Sequence, residues 1–276
     1  MKASYNQHNI PVPKKSLGQN FLIDPNVLKR IVSYLPNAST ELAIEVGTGT
    51  GNLTNILCNE FSKVVTIEKD DRLISWLKEN DKLPQNCRLI HNDILDVSFS
   101  SIVKEEKVSE AVVVGNLPYN ISSQIVFNIC NEYKVVPIAC FLFQKEVAER
   151  ITSPIAKKSY GVLSLVAQLF YKVKIVMELP PHLFKPQPKV VSSLVLFERK
   201  EEEPFVQDFN VFLKVVKAAF AQRRKKIINS MHSNLKLDKS LLEEALKKAD
   251  IDPSQRAEKI DIKRFEVLSE ALRGHF

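Results

Sequence analysis

The chain has 276 residues, 45% of them hydrophobic, and a formal charge of +7, enough for one large domain or one domain with a small appendage. No run approaches the ~18 apolar residues of a membrane span, and the polar, proline-containing stretch Met1 to Lys15 carries neither an export nor an import pattern, so a cytoplasmic location and no membrane partner are expected. Cys58, Cys87, Cys130 and Cys140 form no C-x-x-C pair and the five histidines are scattered, so free thiols and no metal site are expected.

Taken in chain order, Asp24-Pro25 is a helix start, and Val27, Leu28, Ile31, Val32 and Leu35 give the stripe of the helix that follows. A strand over 42–46 runs into Gly47-Thr48-Gly49-Thr50-Gly51, followed by a helix over 52–60. A second strand, 64–67, ends in Glu68; a helix over 71–79 precedes a third strand, 88–91, ending near Asp93. A fourth strand, 111–114, leads into Asn116-Leu117-Pro118-Tyr119. The spacing then predicts a strand over 138–143, helices over 144–152 and 161–170, and strands over 172–178 and 193–199. Arg199 to Pro204 is a charged linker, and helices are predicted over 209–220, 226–231, 241–249 and 262–272. Alternating strands and helices imply an α/β fold with a mostly parallel sheet. The domains expected are 1–203, Rossmann-like, and 204–276, small and all-helical.

The glycine spacing is G-x-G-x-G, not the G-x-G-x-x-G of dinucleotide sites, which counts against NAD. A carboxylate two places before the first glycine, Glu45, suits the cationic amino end of S-adenosylmethionine. Glu68 at the next strand tip suits a ribose, by the logic of dinucleotide folds, and Asp93 at the third suits an adenine amino group. Gly47 and Gly49 let the backbone approach that ligand. The tetrapeptide sits on the same sheet edge. An adenine amino nitrogen is a poor nucleophile, and two acceptors, the Asn116 oxygen and a carbonyl of the Leu117–Pro118 turn, would hold its hydrogens for in-line methyl transfer. Pro118 stiffens the turn, and Tyr119 offers a face for stacking, worth about 1–3 kcal/mol per base. The base must be flipped out or come from a single-stranded loop.

These motifs resemble the ribosomal RNA adenine N6,N6-dimethyltransferase family, and within it the kasugamycin-sensitivity branch that modifies two adjacent adenosines in the 3′-terminal hairpin of small-subunit (16S-type) rRNA. Lys15 to Leu22, Glu45 to Gly51, Gln144 to Arg150, Phe184 to Ser192, Phe220 to Lys226 and Arg256 to Glu258 carry the resemblance. It implies a class I methyltransferase fold, S-adenosylmethionine as cofactor, and cofactor contacts from Asn20, Leu22, Glu68, Asp93 and Asn116. It also implies that Phe184 is the aromatic partner across the target base. Thr48 departs from the proline of many members. From Arg199 onward there are 17 Lys and Arg against 13 Asp and Glu, so the positive charge is local. Arg223, Arg224, Lys225 and Lys226 are the expected RNA-binding cluster, extended along the rim by Lys14, Lys15, Lys157 and Lys158. The expected partners are small-subunit rRNA and the immature small ribosomal subunit, met by a monomer. A large-subunit rRNA methyltransferase of the antibiotic-resistance type and a non-enzymatic assembly or transcription factor are the alternatives.

Overall fold

The computed structural model describes residues 10–14, 17–35 and 40–276; Lys15 lies outside them. In chain order the elements are β1 (Phe21–Leu22), α1 (Pro25–Val32), β2 (Leu42–Val46), α2 (Asn52–Glu60), β3 (Lys63–Glu68), α3 (Asp71–Glu79), β4 (Cys87–His91), α4 (Phe99–Glu105), β5 (Ala111–Asn116), α5 (Ser122–Asn131), β6 (Ile138–Gln144), α6 (Lys145–Ile151), α7 (Val162–Phe170), β7 (Tyr171–Leu179), β8 (Phe184–Lys185), β9 (Ser192–Arg199), α8 (Phe209–Phe220), α9 (Ile227–Leu235), α10 (Lys239–Lys248) and α11 (Ile262–Leu272). Seven strands form one sheet in the order β4-β3-β2-β5-β6-β9-β7, and β1 pairs with β8 in a separate ribbon. Strands β4, β3, β2, β5 and β6 are parallel, and β9 returns antiparallel to β6. The fold is α/β, as expected.

Local chemistry accounts for the expected elements. Asp24 caps α1, accepting from the amides of Asn26 and Val27, and Pro25 opens the helix. β2 is buried along its whole length, as a central parallel strand covered on both faces must be. Helices α4 and α5 go beyond the expected elements. The start of α4 is capped by Ser98, which accepts from the Ser101 amide, and from far away in sequence by Glu132, which accepts from the Phe99 and Ser100 amides; α5 begins without a side-chain cap. Gln144, expected to open a helix, instead ends β6 opposite Ser192.

The chain divides into two compact units. The first runs to Lys145 and takes in Ile175–Glu198; the second comprises Glu146–Lys174 and Arg199–Phe276. The boundary expected at residue 203 lies close to the change at Arg199, but Glu146–Lys174 belongs with the C-terminal helices rather than with the sheet. The reason is apolar: α7 is buried from Ser164 to Ala167 and again at Leu169 and Phe170, Phe170 meets Phe209 edge-on, and Tyr160 meets Phe220.

The strand order reverses between β3 and β5 around the central β2, which makes the carboxyl end of β2 and β5 the switch point where ligands bind in open α/β sheets. The two strands are held unusually close there. Gly115 pairs with Val46, and a β-carbon on Gly115 would lie 2.6 Å from the Val46 carbonyl oxygen. That atom is backbone and cannot swing aside. Gly115→Ala should therefore lower unfolding free energy by at least ~2 kcal/mol, read from the denaturant midpoint; a midpoint equal to that of the wild type would show that the strands can part at no cost.

Candidate active site

A cleft of about 270 Å³ opens at this switch point, lined by Asn20, Leu22, Glu45, Gly47, Gly49, Glu68, Asp93, Asn116 and Pro118 among others. All eight residues expected at the cofactor thus converge on one cleft. Leu117 and Tyr119 do not line it: Leu117 is buried in the core, and the Tyr119 hydroxyl is hydrogen-bonded to Ser192 at 2.8 Å.

The glycine loop owes its shape to three left-handed residues, Gly47, Gly49 and Gly51, with φ of 83°, 55° and 77°. A side chain at Gly49 would also press on the Phe21 ring at 3.2 Å. The Glu68 carboxylate fixes the loop by accepting from the Gly49 amide at 3.0 Å, and its other oxygen accepts from the Lys69 and Asp70 amides. Burial pushes the Glu68 carboxyl up, opposed by these three bonds. With three bonds accepted, acceptor capacity remains on Oε2, the oxygen that takes only the Gly49 amide, for a ribose hydroxyl. Asp93 accepts from Leu95 and pairs with Lys69; burial raises it, and the Lys69 bond more than offsets this and holds it low.

Glu45 departs from the simple picture of a charged strand-tip acid. It is 1% exposed, and one of its oxygens accepts from both Thr54, at 2.5 Å, and Thr66, at 3.0 Å. Burial pushes its carboxyl up to about 8, with the two threonine bonds opposing. Without a ligand the Glu45 carboxyl therefore holds its proton near neutrality, and a cationic group bound beside it would favour the ionised form.

The expected opening motif closes over the tetrapeptide. Asn116 Nδ2 donates to the Asn20 carbonyl at 2.7 Å, which leaves its side-chain oxygen as the acceptor. Gly18, at φ 62°, lies against Pro118. Gln19 donates to Asp70, which also binds Arg72; burial raises the Asp70 carboxyl, but the Arg72 and Gln19 bonds outweigh it and hold it at about 2. Thr54, Thr66, Lys69, Asp70 and Gly115 are not singled out by the sequence, and Gln19 and Ser192 only as members of the motifs that carry the resemblance. Thr54, nine residues after Glu45 and so early in the helix after the glycine loop, carries the nearest thing to a local signal.

One expectation needs correction. Phe184 is 2% exposed, packed in the core with Leu22, Leu28 and Leu179, because the β1–β8 ribbon pairs it with Leu22 and turns it inward. It presents no free face to a base. Arg223 is exposed, and its Nη2 donates to the carbonyls of Lys158 and Tyr160, at 2.8 and 2.9 Å, and lies 3.4 Å from Glu258. Arg224, Lys225 and Lys226 are exposed beside it, as are Lys157 and Lys158 on the segment that Arg223 and the Ala156–Glu258 backbone bond hold in place within the second unit. Lys14 is 3.9 Å from Asp70.

The family described as ribosomal RNA adenine dimethylase matches residues 12–273. The chain belongs to this family. Among its relatives, the ribosomal RNA small subunit methyltransferase A of Geobacillus thermodenitrificans is 39% identical over 269 residues, 95% of this chain and 92% of that one, and its namesake from Bacillus licheniformis is 40% identical over 94% and 91%. A dimethyladenosine transferase from Plasmodium falciparum superposes with a TM-score of 0.76 at 26% identity, covering 92% of this chain and 98% of that one. The 23S rRNA methyltransferase ErmE follows at 0.66 and 25%, covering 92% and 100%. The protein is a class I methyltransferase that dimethylates adenine in ribosomal RNA with S-adenosylmethionine as donor. The residues present fit such a cationic donor: carboxyl groups from three successive strand ends, Glu45, Glu68 and Asp93, line the cleft beside the glycine loop.

The raised carboxyl of Glu45 has a pH signature. Folded Glu45 keeps its proton where the unfolded chain, at an ordinary 4.5, has lost it; its contribution to stability is full below that value and is lost as pH rises towards about 8. In the ligand-free protein the melting temperature should decline across that window, and Glu45→Gln, which keeps an acceptor for both threonines, should flatten the decline. A wild-type profile as flat as that of the glutamine variant would refute the assignment.

Proposed function

We propose that this dimethylase acts on N6 of two adjacent adenosines in the 3′-terminal hairpin loop of small-subunit rRNA, as a late cytoplasmic ribosome-biogenesis factor working as a monomer on the immature subunit. Supporting it are the small-subunit relatives at about 40% identity over nearly the whole chain, against 25% for the large-subunit enzyme. The observation that carries the chemistry is the fixed amide of Asn116: with Nδ2 held by the Asn20 carbonyl, its oxygen is left at the cleft to accept one hydrogen of the target amino group.

When bound, S-adenosylmethionine supplies the methyl group on a sulfonium. The residues of the chain do the rest. Asn116 and a carbonyl of the Leu117–Pro118 turn hold the amino hydrogens and favour the nitrogen geometry that attack requires, so positioning and preorganised acceptors supply most of the rate. Pro118 keeps the turn stiff, and Ser192 holds the Tyr119 ring, through its hydroxyl, as a stacking face. Glu45, Glu68, Asp93 and the loop of Gly47 and Gly49 hold the donor, with Asn20 and Leu22 closing the cleft. The helical second unit serves as the RNA- and ribosome-binding domain, with Arg224, Lys225 and Lys226 as phosphate ligands and Arg223 as the brace that presents Lys157 and Lys158 beside them.

Labelled S-adenosylmethionine offered to small subunits from a strain lacking the modification should yield N6,N6-dimethyladenosine in the 3′-terminal hairpin; label in large-subunit rRNA instead would overturn the proposed target. Asn116→Ala should lower the transfer rate by at least ~100-fold while RNA affinity changes less than ~2-fold, and retained transfer would remove the amide from its role. In the second unit, replacing Arg224 and Lys225 should reduce the slope of log affinity against log salt by about 1 for each phosphate that is no longer neutralised, with the melting temperature unchanged. Arg223→Ala should instead lower the melting temperature by several degrees, on the order of 1–3 kcal/mol for removing a charged donor shared by several acceptors. If the two substitutions behave alike in both measurements, the distinction between brace and ligand fails.

A further inference from the structure

We infer that Thr48 is a positioning residue of the cofactor site, whose hydroxyl heads a buried chain of side chains, Thr48–Thr66–Glu45–Thr54, that orients the Glu45 carboxyl toward the cleft. The inference rests on the reading of this cleft as the S-adenosylmethionine site. The Thr48 and Thr66 hydroxyls are 2.6 Å apart, Thr66 is 3.0 Å from Glu45 Oε2, and Thr54 reaches the same oxygen from the other side. All four side chains are buried, at 3% exposure or less, so water does not substitute for a missing partner. The four belong to the glycine loop, β3, β2 and α2, and the chain of hydroxyls therefore ties the loop to three elements at once.

The direction of each bond follows from counting protons. A hydroxyl has one proton to give. When Glu45 is ionised its Oε2 can only accept, so Thr66 gives its proton to Glu45. Thr66 is then the acceptor in its bond to Thr48, and the Thr48 proton points down the chain. Each donation polarises the next, and together with Thr54 the arrangement stabilises the anion. When Glu45 carries a proton on Oε2, it must donate to one of the two threonines, and that partner has to turn its own proton elsewhere.

The other ionisable groups around Glu45 work against the anion. Cys58 on α2 and Glu68 at the tip of β3 both raise its carboxyl, and Cys87 at the start of β4 is in turn raised by Glu45. The threonine chain is thus what favours the charged form before a ligand arrives, and a cationic amino group completes it. Thr48 lines the cleft and sits between the left-handed Gly47 and Gly49, so removing its hydroxyl loosens the loop and disfavours the anion in one step.

The test uses the full-length protein with Thr48→Val and Thr48→Ser. The Glu45 carboxyl is followed by carbon-13 NMR in glutamate-labelled, ligand-free protein, its signal assigned with Glu45→Gln, and S-adenosylmethionine affinity is measured by calorimetry across the same pH range. Valine should move the Glu45 midpoint upward by about half a unit to one unit and weaken binding ~3- to 10-fold near neutrality, with the deficit shrinking at higher pH; serine should restore both. An unmoved midpoint in the folded valine variant, or a binding loss of the same size at every pH, would overturn the proposal. Thr48→Ala replaces valine if that variant does not fold, with the same outcomes. Failure of the wild type to bind S-adenosylmethionine would overturn the cofactor reading itself, whereas the ligand-free midpoint tests the threonine chain independently of it.

Discussion

The close approach of β5 to β2 is the constraint on which the site depends. A parallel pair carries both loops to the same edge of the sheet, but only an absent side chain at Gly115 lets the Val46 carbonyl come as near as it does. The glycine loop after β2 and the tetrapeptide after β5 are then neighbours, with 3.8 Å between the place of a Gly47 β-carbon and the Asn116 carbonyl oxygen. A donor held on the first loop and an acceptor base held on the second are brought together by one strand pairing. No flexible element is needed to bring these two loops together.

Around this junction acidic groups accumulate at strand tips, and each is handled differently. Glu68 is anchored by three backbone amides, Asp93 by a lysine, Asp70 by an arginine and a glutamine, and Glu45 by threonines alone. The cations hold Asp93 and Asp70 low, whereas burial raises Glu68 against its three amides. Glu45 is fully buried with no cation beside it, and burial pushes it up to about 8 against its two threonine bonds. A cation-binding cleft gains from such a group. A carboxylate fully neutralised by its own protein has little left for a ligand, whereas one poised near neutrality is completed by the ligand charge.

How far the sequence could be read follows from how local each cause is. The glycine loop, the strand-tip carboxylates and the tetrapeptide are contiguous or fall at strand ends, and all reach the cleft except Gly51, Leu117 and Tyr119. Helix α4 has a local cap in Ser98, but two of its first amides, those of Phe99 and Ser100, are held by Glu132, 33 positions beyond Phe99, which no local pattern shows. The division of the chain is only half legible for the same reason: the charged linker near 203 marks one crossing, but nothing local says that Phe170 will seek Phe209. Phe184 is the instructive failure. It has the right chemistry for the role expected of it, an aromatic face, but pairing with Leu22 turns it into the core. Arg223 stays exposed while the carbonyls of Lys158 and Tyr160 hold its Nη2. Residue type sets what a side chain can do; which neighbour reaches it first is decided by tertiary packing.

Thr48 carries this argument into the loop itself. Proline, found at this position in many members of the family, stiffens a turn covalently by fixing φ and needs no partner. Threonine leaves φ free and obtains order from a hydrogen bond to Thr66, which itself depends on the state of Glu45. The two solutions give similar loops with different couplings. A proline loop is equally ordered whatever the charge of the acid beside it. In this chain the loop is best ordered when Glu45 is ionised and its acceptor oxygen is bare, the state that a cationic ligand favours. Loop order and ligand charge then reinforce one another through three hydroxyls, and rigidity here is a property acquired with the ligand more than one built into the backbone.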